Sequence, residues 1–182
     1  MKNFEDSRKA LLTHLKTHAL RTDGPFVLAS GEVSDWYVVG RQTTFDGEGA
    51  RIVGTCLAAM LHDDVTAVGG MTMGADPIAV ATAVMAPRPL KAFSVRKTAK
   101  EHGMGGRLVG PVGPDDRVAV VEDATTTGAS AAAAIAALRG EGVTVVEAIT
   151  LVDRSHGAAA TLMYQLGVPF RSVVTPEDLG VE

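Results

Sequence analysis

From Val65 onward the chain alternates short, continuously apolar runs with longer helix-forming ones, and no other feature restricts its fold as tightly. VTAVGG (65–70) precedes DPIAVATAVMA (76–86), and LKAFSV (90–95) precedes a polar, glycine-rich gap. RVAVV (117–121) then precedes SAAAAIAALRG (130–140), VTVVEAITLV (143–152) precedes GAAATLMYQLG (157–167), and FRSVV (170–174) ends the series. Strands that are apolar on both faces need cover on both faces, and strands separated by helices run parallel. The pattern predicts an α/β fold with a central, mostly parallel sheet flanked by helices. At 182 residues and 46% hydrophobic content the chain can bury one sizeable core, so a single domain is expected. No internal repeat or low-complexity linker divides it.

Before Val65 the signals are more local. Phe4, Leu11, Leu12, Leu15 and Ala19 recur at helical spacing, which predicts an amphipathic first helix with His14 and His18 on its solvated face. The β-type runs PFVLASG and SDWYVVG flank a Gly-Glu turn and predict a hairpin, and a second helix is expected over Gly49 to His62. A formal charge of −4 provides no general positive field, so neither nucleic acid nor an anionic membrane is an expected partner, and any anion must be held locally. Cys56 is the only cysteine, which excludes an intrachain disulfide and a cysteine-type zinc site and fits a reducing cytoplasm. The first twenty residues are charged throughout, and no window approaches the roughly 20 apolar residues of a bilayer span, so neither an export signal nor a membrane anchor is expected.

In parallel sheets ligands bind beyond the carboxyl ends of the strands. That rule selects GGMTMGAD, RKTAKEHGMGG, EDATTTGAS and DRSHG. In VAVVEDATTTGAS (118–130) a strand feeds a threonine-glycine turn and then a helix, which gathers backbone N–H groups and hydroxyls as a phosphate cradle does. The stretch contains neither GxxxxGK[ST] nor GxGxxG. Glu122 and Asp123 would repel a phosphate, whereas vicinal hydroxyls or a magnesium-bound sugar suit carboxylates, so acids ahead of a cradle read as a grip on a sugar 5-phosphate. The competing reading is a solvated acidic pair followed by a threonine helix cap. Successive strand residues point to opposite faces, so the chain is expected to leave extended geometry at Glu122 if both acids reach one sugar. RKTAKEHGMGGR supplies Arg96, Lys97, Lys100 and His102 among three glycines, the composition of a mobile cationic lid, or alternatively of a solvated basic loop. His102 has no second histidine or cysteine at metal-ligand spacing. Asp76-Pro77 is a good helix start, and cap chemistry alone could account for its turn.

VVEDATTTGAS resembles the phosphoribosyl-pyrophosphate motif of the type I phosphoribosyltransferases. Nearly the whole chain, including FVLASGEVSDWY, VGGMTMGADP, FSVRKTAKEHGMGGRLVGP and LVDR, is similar to the orotate phosphoribosyltransferases. The RKxxKxHGxG loop points to the orotate enzymes in particular. The resemblance implies a type I phosphoribosyltransferase fold in which a small N-terminal hood, residues 1–45 with a C-terminal segment, covers a core over about 46–165. It implies transfer of phosphoribosyl from phosphoribosyl pyrophosphate to orotate, giving orotidine 5′-monophosphate and pyrophosphate in pyrimidine biosynthesis. Magnesium would arrive with the substrate's pyrophosphate rather than on protein ligands. Phosphoribosyl pyrophosphate would be held by Arg96, Lys97, Lys100, His102, Glu122, Asp123, Ala124, Thr125, Thr126, Thr127, Gly128, Ala129 and Ser130, with Thr72, Met73 and Gly74 contributing mostly main chain. Lys100, Asp123 and His102 would be catalytic, and Trp36, Tyr37, Thr126 and Arg154 would meet orotate. Arg154 could otherwise pair with Asp153 at a strand end. A homodimer whose lid reaches the neighbouring site is also implied. This chain departs from the family pattern at Ala29, Val39 and Val109, where many relatives carry lysine, aspartate and glutamate, and at Met73, where several carry lysine. Two alternatives therefore stand beside orotate transfer: phosphoribosyl transfer to another base, and non-catalytic sensing of phosphoribosyl pyrophosphate.

Overall fold

The structure, a computed structural model, describes residues 4–27, 31, 33–99 and 106–181. Helix α1 (Phe4–His14) runs into a π-helical turn, Leu15–Ala19. Four two-residue strands follow: β1 (Leu20–Arg21), β2 (Phe26–Val27), β3 (Val33–Ser34) and β4 (Tyr37–Val38). After them come α2 (Gly40–Thr44), α3 (Gly47–Met60), β5 (Ala67–Met71), α4 (Ala75–Met85), β6 (Lys91–Val95) and β7 (Leu108–Val109). The chain continues with β8 (Arg117–Thr125), α5 (Ala129–Gly140), β9 (Thr144–Asp153), α6 (Ala158–Gln165), β10 (Phe170–Val174) and α7 (Pro176–Leu179).

The main sheet has six strands in the order β10-β9-β8-β5-β6-β7, and every neighbouring pair is parallel except β6–β7. Each face buries one side of the alternation. Ala119 and Val121 of β8 pack with Leu11, Leu15, Val53, Leu57 and Ile78 from α1, the π-helical turn, α3 and α4. Val118 and Val120 pack on the opposite face with Ala134, Ile135 and Leu138 of α5 and Met163 of α6. Central strands apolar on both faces are thus explained by helices on both faces. Among the described residues no helix is long and apolar enough to cross a membrane.

Three local expectations are revised, and one strand is added. The anticipated hairpin forms differently: β2 pairs with β3, whereas Tyr37–Val38 pairs with Leu20–Arg21. Trp36 and Val38 are buried in the main cluster, which draws this strand onto the end of the first helix rather than onto PFVLASG. The predicted second helix starts earlier and ends sooner, at Gly47–Met60, because Asp46 caps it by accepting from the Glu48 and Gly49 amides at 3.0 and 2.8 Å. The antiparallel edge strand β7 is not among the elements the sequence predicts, since two residues are too short to show a period.

His14 is not solvated. It is 8% exposed, with Nδ1 hydrogen-bonded to Thr43 Oγ1 and Nε2 to Asp46 Oδ2, both at 3.2 Å. It therefore fastens α1 both to α2 and to the N-cap of α3, and Gly49 makes room for it, since a Cβ there would lie 2.9 Å from its Cε1. His18 is exposed, as expected. Replacing His14 with alanine leaves the buried Thr43 hydroxyl without its partner and should cost about 1–3 kcal/mol. Urea unfolding should show this, with Lys16→Ala as an exposed control that shifts the midpoint little.

Candidate active site

The site begins where two ladders of β8 end at different places. Its pairing with β5 stops at Gly69↔Val120, but its pairing with β9 continues to Thr125↔Asp153. The gap beyond β5 is a cavity of about 450 Å³ at the carboxyl edge, lined by residues that include Arg41, Thr72, Met73, Gly74, Lys97, Glu122, Asp123 and Ser130. The expectation that the chain leaves extended geometry at Glu122 is not met, because β8 stays a strand through Thr125. Both carboxylates nevertheless line one cavity, because past Val120 no β5 residue pairs with β8 and the freed edge is open on that side.

Asp123 is held between two glycines. A Cβ on Gly74 would lie 2.6 Å from Asp123 Oδ1, and one on Gly40 would lie 3.3 Å from Asp123 Cβ. The Ala124 amide donates to Asp123 Oδ1 at 3.0 Å. Glu122 is in a different condition. Burial pushes its carboxyl up to about 7, with the neighbouring Asp123 charge adding to the rise and the Ser130 and Thr125 hydroxyls opposing it.

The turn after the acids is organised from within. Thr125 is buried, and its Oγ1 accepts from the Gly128 amide at 2.9 Å; Thr127 Oγ1 accepts from the Ala129 amide at 3.3 Å. Gly128 has φ 79°, a left-handed conformation that glycine adopts without steric cost, and it precedes the first turn of α5. Ala124 is partly buried, while Thr126, Thr127, Ala129 and Ser130 are exposed. Across the cavity, Thr72 donates from its amide to Val95 O at 2.9 Å and from Oγ1 to Asp76 Oδ2 at 2.8 Å. Ser94 donates to the same carboxylate, so Asp76 pins the Thr72 turn, and the residue preceding α4 is Gly74 with no side-chain cap. The Thr72–Met73 peptide is cis, and Met73 is 55% exposed.

The residues expected to meet a base form a second group. The Arg154 guanidinium carbon lies 4.3 Å from the centre of the Trp36 ring and 5.4 Å from that of Tyr37, within cation–π range. The pairing of Arg154 with Asp153 is not what forms, since Asp153 Oδ1 accepts from the Ser155 amide. Arg154 Nε is buried without a hydrogen-bond partner, and burial lowers the guanidinium's pKa. The Arg154 amide donates to Thr125 O at 2.8 Å, which joins this group to the turn.

Of the anticipated lid, Arg96 is partly buried and Lys97 is exposed and lines the cavity. The Arg96 amide donates to Arg107 O, and Arg107 Nε donates to Arg96 O, each at 2.8 Å, so the two ends of the segment are fastened together. Lys100, His102 and, in the N-terminal region, Ala29 lie outside the described residues. Gly40 and Arg41 were not singled out as site residues from the sequence. A five-residue helix is too short for a periodic signal, and the signals that could have marked them are their position directly after the aromatic strand and the arginine that ends the family's YxDxR pattern at Arg41. Among the described residues no group of three or more His, Cys, Asp or Glu is placed to hold a metal ion.

A parallel sheet with an acid pair at one strand's carboxyl end, followed by a threonine-glycine turn at a helix N-terminus, defines the type I phosphoribosyltransferase class. No protein-family model matches the chain. The orotate phosphoribosyltransferase of Streptomyces avermitilis is 44% identical over 98% of this chain and 100% of its own length. Among solved structures, Mycobacterium tuberculosis orotate phosphoribosyltransferase in complex with Fe(III) dicitrate has a TM-score of 0.86 at 38% identity, covering 96% of this chain and 99% of that one. The same enzyme in complex with 5-phospho-α-D-ribosyl 1-diphosphate has a TM-score of 0.82 at 34% identity, with the same coverage. The chain belongs to the orotate phosphoribosyltransferase family.

The raised pKa of Glu122 links the site to stability. Below about pH 4.5 the group is protonated both folded and unfolded and costs nothing. Between its ordinary 4.5 and about 7 the unfolded chain releases a proton that the folded one keeps, so stability falls as pH rises through that window. After discounting for partial exposure, the full cost above pH 7 is on the order of 2 kcal/mol. Glu122→Gln in the ligand-free protein should therefore raise Tm at pH 8 by roughly 4–8 °C and leave it unchanged near pH 4.5. Equal Tm values at pH 8 would contradict the burial cost.

Proposed function

We propose that the chain catalyses transfer of the 5-phosphoribosyl group of phosphoribosyl pyrophosphate to orotate, forming orotidine 5′-monophosphate and pyrophosphate in the de novo pyrimidine route. The observation that carries this reading is the single cavity in which the acid pair, the Thr72 turn and Lys97 meet beside the threonine-glycine turn, with the Arg154–Trp36 stack joined to it through Thr125. The names of relatives similar over nearly the whole chain favour orotate over other bases.

The chemistry follows from charge. The bond from the anomeric carbon to the pyrophosphate oxygen breaks as the bond to the base nitrogen forms, so positive charge builds on the ribose and negative charge on the leaving group. In this reading Glu122 and Asp123 accept hydrogen bonds from the ribose hydroxyls and offset the charge on the ring. Ala124 to Ser130 surround the 5-phosphate: Thr126, Thr127 and Ser130 are exposed to it, while the Thr125 hydroxyl, accepting from the Gly128 amide, holds the turn's own shape. Thr72, Met73 and Gly74 meet the pyrophosphate through main chain. Arg154, with Trp36 and Tyr37 stacked against it and Thr126 close by in sequence, would meet the carboxylate and face of orotate. Lys100 and His102 complete the proposal as lid residues, with Arg96 and Lys97 at its base.

A hard divalent cation needs oxygen donors, and the paired carboxylates in the cavity are of that kind. Glu122 and Asp123 would face a magnesium ion brought by the substrate, and that ion supplies charge neutralisation on the pyrophosphate. We further propose that residues 1–45 with the C-terminal segment act as a hood over a core of about 46–165, that the chain works as a homodimer with the lid serving the neighbouring site, and that it resides in the cytoplasm.

With Mg²⁺ and phosphoribosyl pyrophosphate, the protein should convert orotate to orotidine 5′-monophosphate and leave uracil and purine bases unused; turnover of another base in preference would sink the orotate assignment. Lys100→Ala should lower kcat far more than it weakens phosphoribosyl-pyrophosphate binding, and equal losses would contradict a transition-state role. Asp123→Asn should weaken binding of the sugar phosphate about tenfold or more, which titration calorimetry would register.

A further inference from the structure

Two of the charged side chains lining the active-site cavity are cations, Arg41 and Lys97, and two are anions, Glu122 and Asp123. Four of the eleven arginines are committed to carboxylates elsewhere: Arg8 to Asp178, Arg21 to Asp23, Arg117 to Asp64 and Arg171 to Glu147. Arg41 is exposed, and among the described residues its side chain has no ion pair or hydrogen bond, although it shares a cavity with two carboxylates.

Its mounting is rigid. On the N-terminal side Gly40 lies against Asp123 closely enough that a Cβ there would come within 3.3 Å of the aspartate's Cβ. On the C-terminal side Thr43 and Thr44 are buried at 0% and 2% exposure, and Thr43 is hydrogen-bonded to the buried His14. The backbone of Arg41 is therefore fixed relative to Asp123 while its guanidinium stays available. Facing it, the Thr72–Gly74 turn has no cation: Met73 is uncharged, and the Thr72 hydroxyl is occupied by Asp76.

We propose that Arg41 is a pyrophosphate-binding residue, gripping the diphosphate of phosphoribosyl pyrophosphate, and of the released product, from the same chain that supplies the acid pair. The proposal rests on the phosphoribosyl-transfer reading above. A planar guanidinium can meet two oxygens of a diphosphate at once, which a lone ammonium cannot, and it balances charge that the two carboxylates in the cavity would otherwise repel. The acids hold the ribose and the Thr125–Gly128 turn faces the 5-phosphate, so Arg41 and the Thr72 turn flank the remaining part of the substrate. Because the diphosphate gains charge as the bond to ribose breaks, Arg41 favours the departing group as well as the bound one.

The test compares wild type, Arg41→Ala and Arg41→Lys by titration calorimetry with inorganic pyrophosphate plus Mg²⁺ and, separately, with ribose 5-phosphate. Arg41→Ala should weaken pyrophosphate about 10- to 100-fold, leave ribose 5-phosphate unchanged and raise the KM for phosphoribosyl pyrophosphate; Arg41→Lys should recover part of the loss. Unchanged pyrophosphate affinity, or equal loss of both ligands, would overturn the assignment. A wild-type protein that binds pyrophosphate in an Arg41-dependent way yet forms no orotidine 5′-monophosphate would instead overturn the reading of function.

Discussion

β8 remains hydrogen-bonded to β9 as far as Thr125↔Asp153 after its ladder to β5 has ended at Gly69↔Val120, and the site depends on that mismatch. One side of β8 stays anchored, so Glu122 and Asp123 are presented by a strand rather than by a loose loop. The other side is unpaired, which opens the cavity to both carboxylates. Gly70 lets the two strands stay close up to that point, since a Cβ on it would lie 2.2 Å from Val121 O. The Thr72 turn, stapled by Asp76 to Ser94 of the next strand, then forms the opposite wall. Supports that could have come from one loop are instead shared among β5, β6, β8 and α2, and a rigid scaffold of this sort limits how far functional groups can drift.

The electrostatics of the cavity follow from the same arrangement. Two adjacent acids held half-buried at a strand end are unfavourable for the empty protein, and Glu122 carries that cost in its raised pKa. The turn beyond them offers outward hydroxyls and the start of a helix, which favour anions. Carboxylates and an anion cradle within a few residues of each other make sense for a ligand that has hydroxyls at one end and phosphates at the others. A simple phosphate would be repelled by the first half of the motif, and a plain sugar would leave the second half without a partner.

Much of this was legible in the residues. Alternating apolar and helical runs define the sheet because burial on both faces leaves a continuous signal over five or more residues. VVEDATTTGAS is legible because its chemistry is local, and Arg154 could be paired with Trp36 and Tyr37 only through the family resemblance, as more than a hundred positions separate them. What could not be read are features decided by packing. His14 looks like any polar-face histidine until α2 and the cap of α3 are brought against it. The inference from alternation at Glu122 and Asp123 failed because it took opposite faces to exclude a shared site, whereas past Val120 β8 has no β5 partner and both side chains line the cavity at that open edge. Arg41 was passed over because α2 is shorter than any period that could mark it.

Trp36 is the only tryptophan in the chain, and it lies beneath the guanidinium of Arg154. The sequence thus carries a single indole, stacked on an arginine whose Nε is buried and whose amide donates to Thr125 O in the threonine-glycine turn. Its emission is a one-site optical record of what happens between indole and guanidinium, uncontaminated by any other indole in the chain.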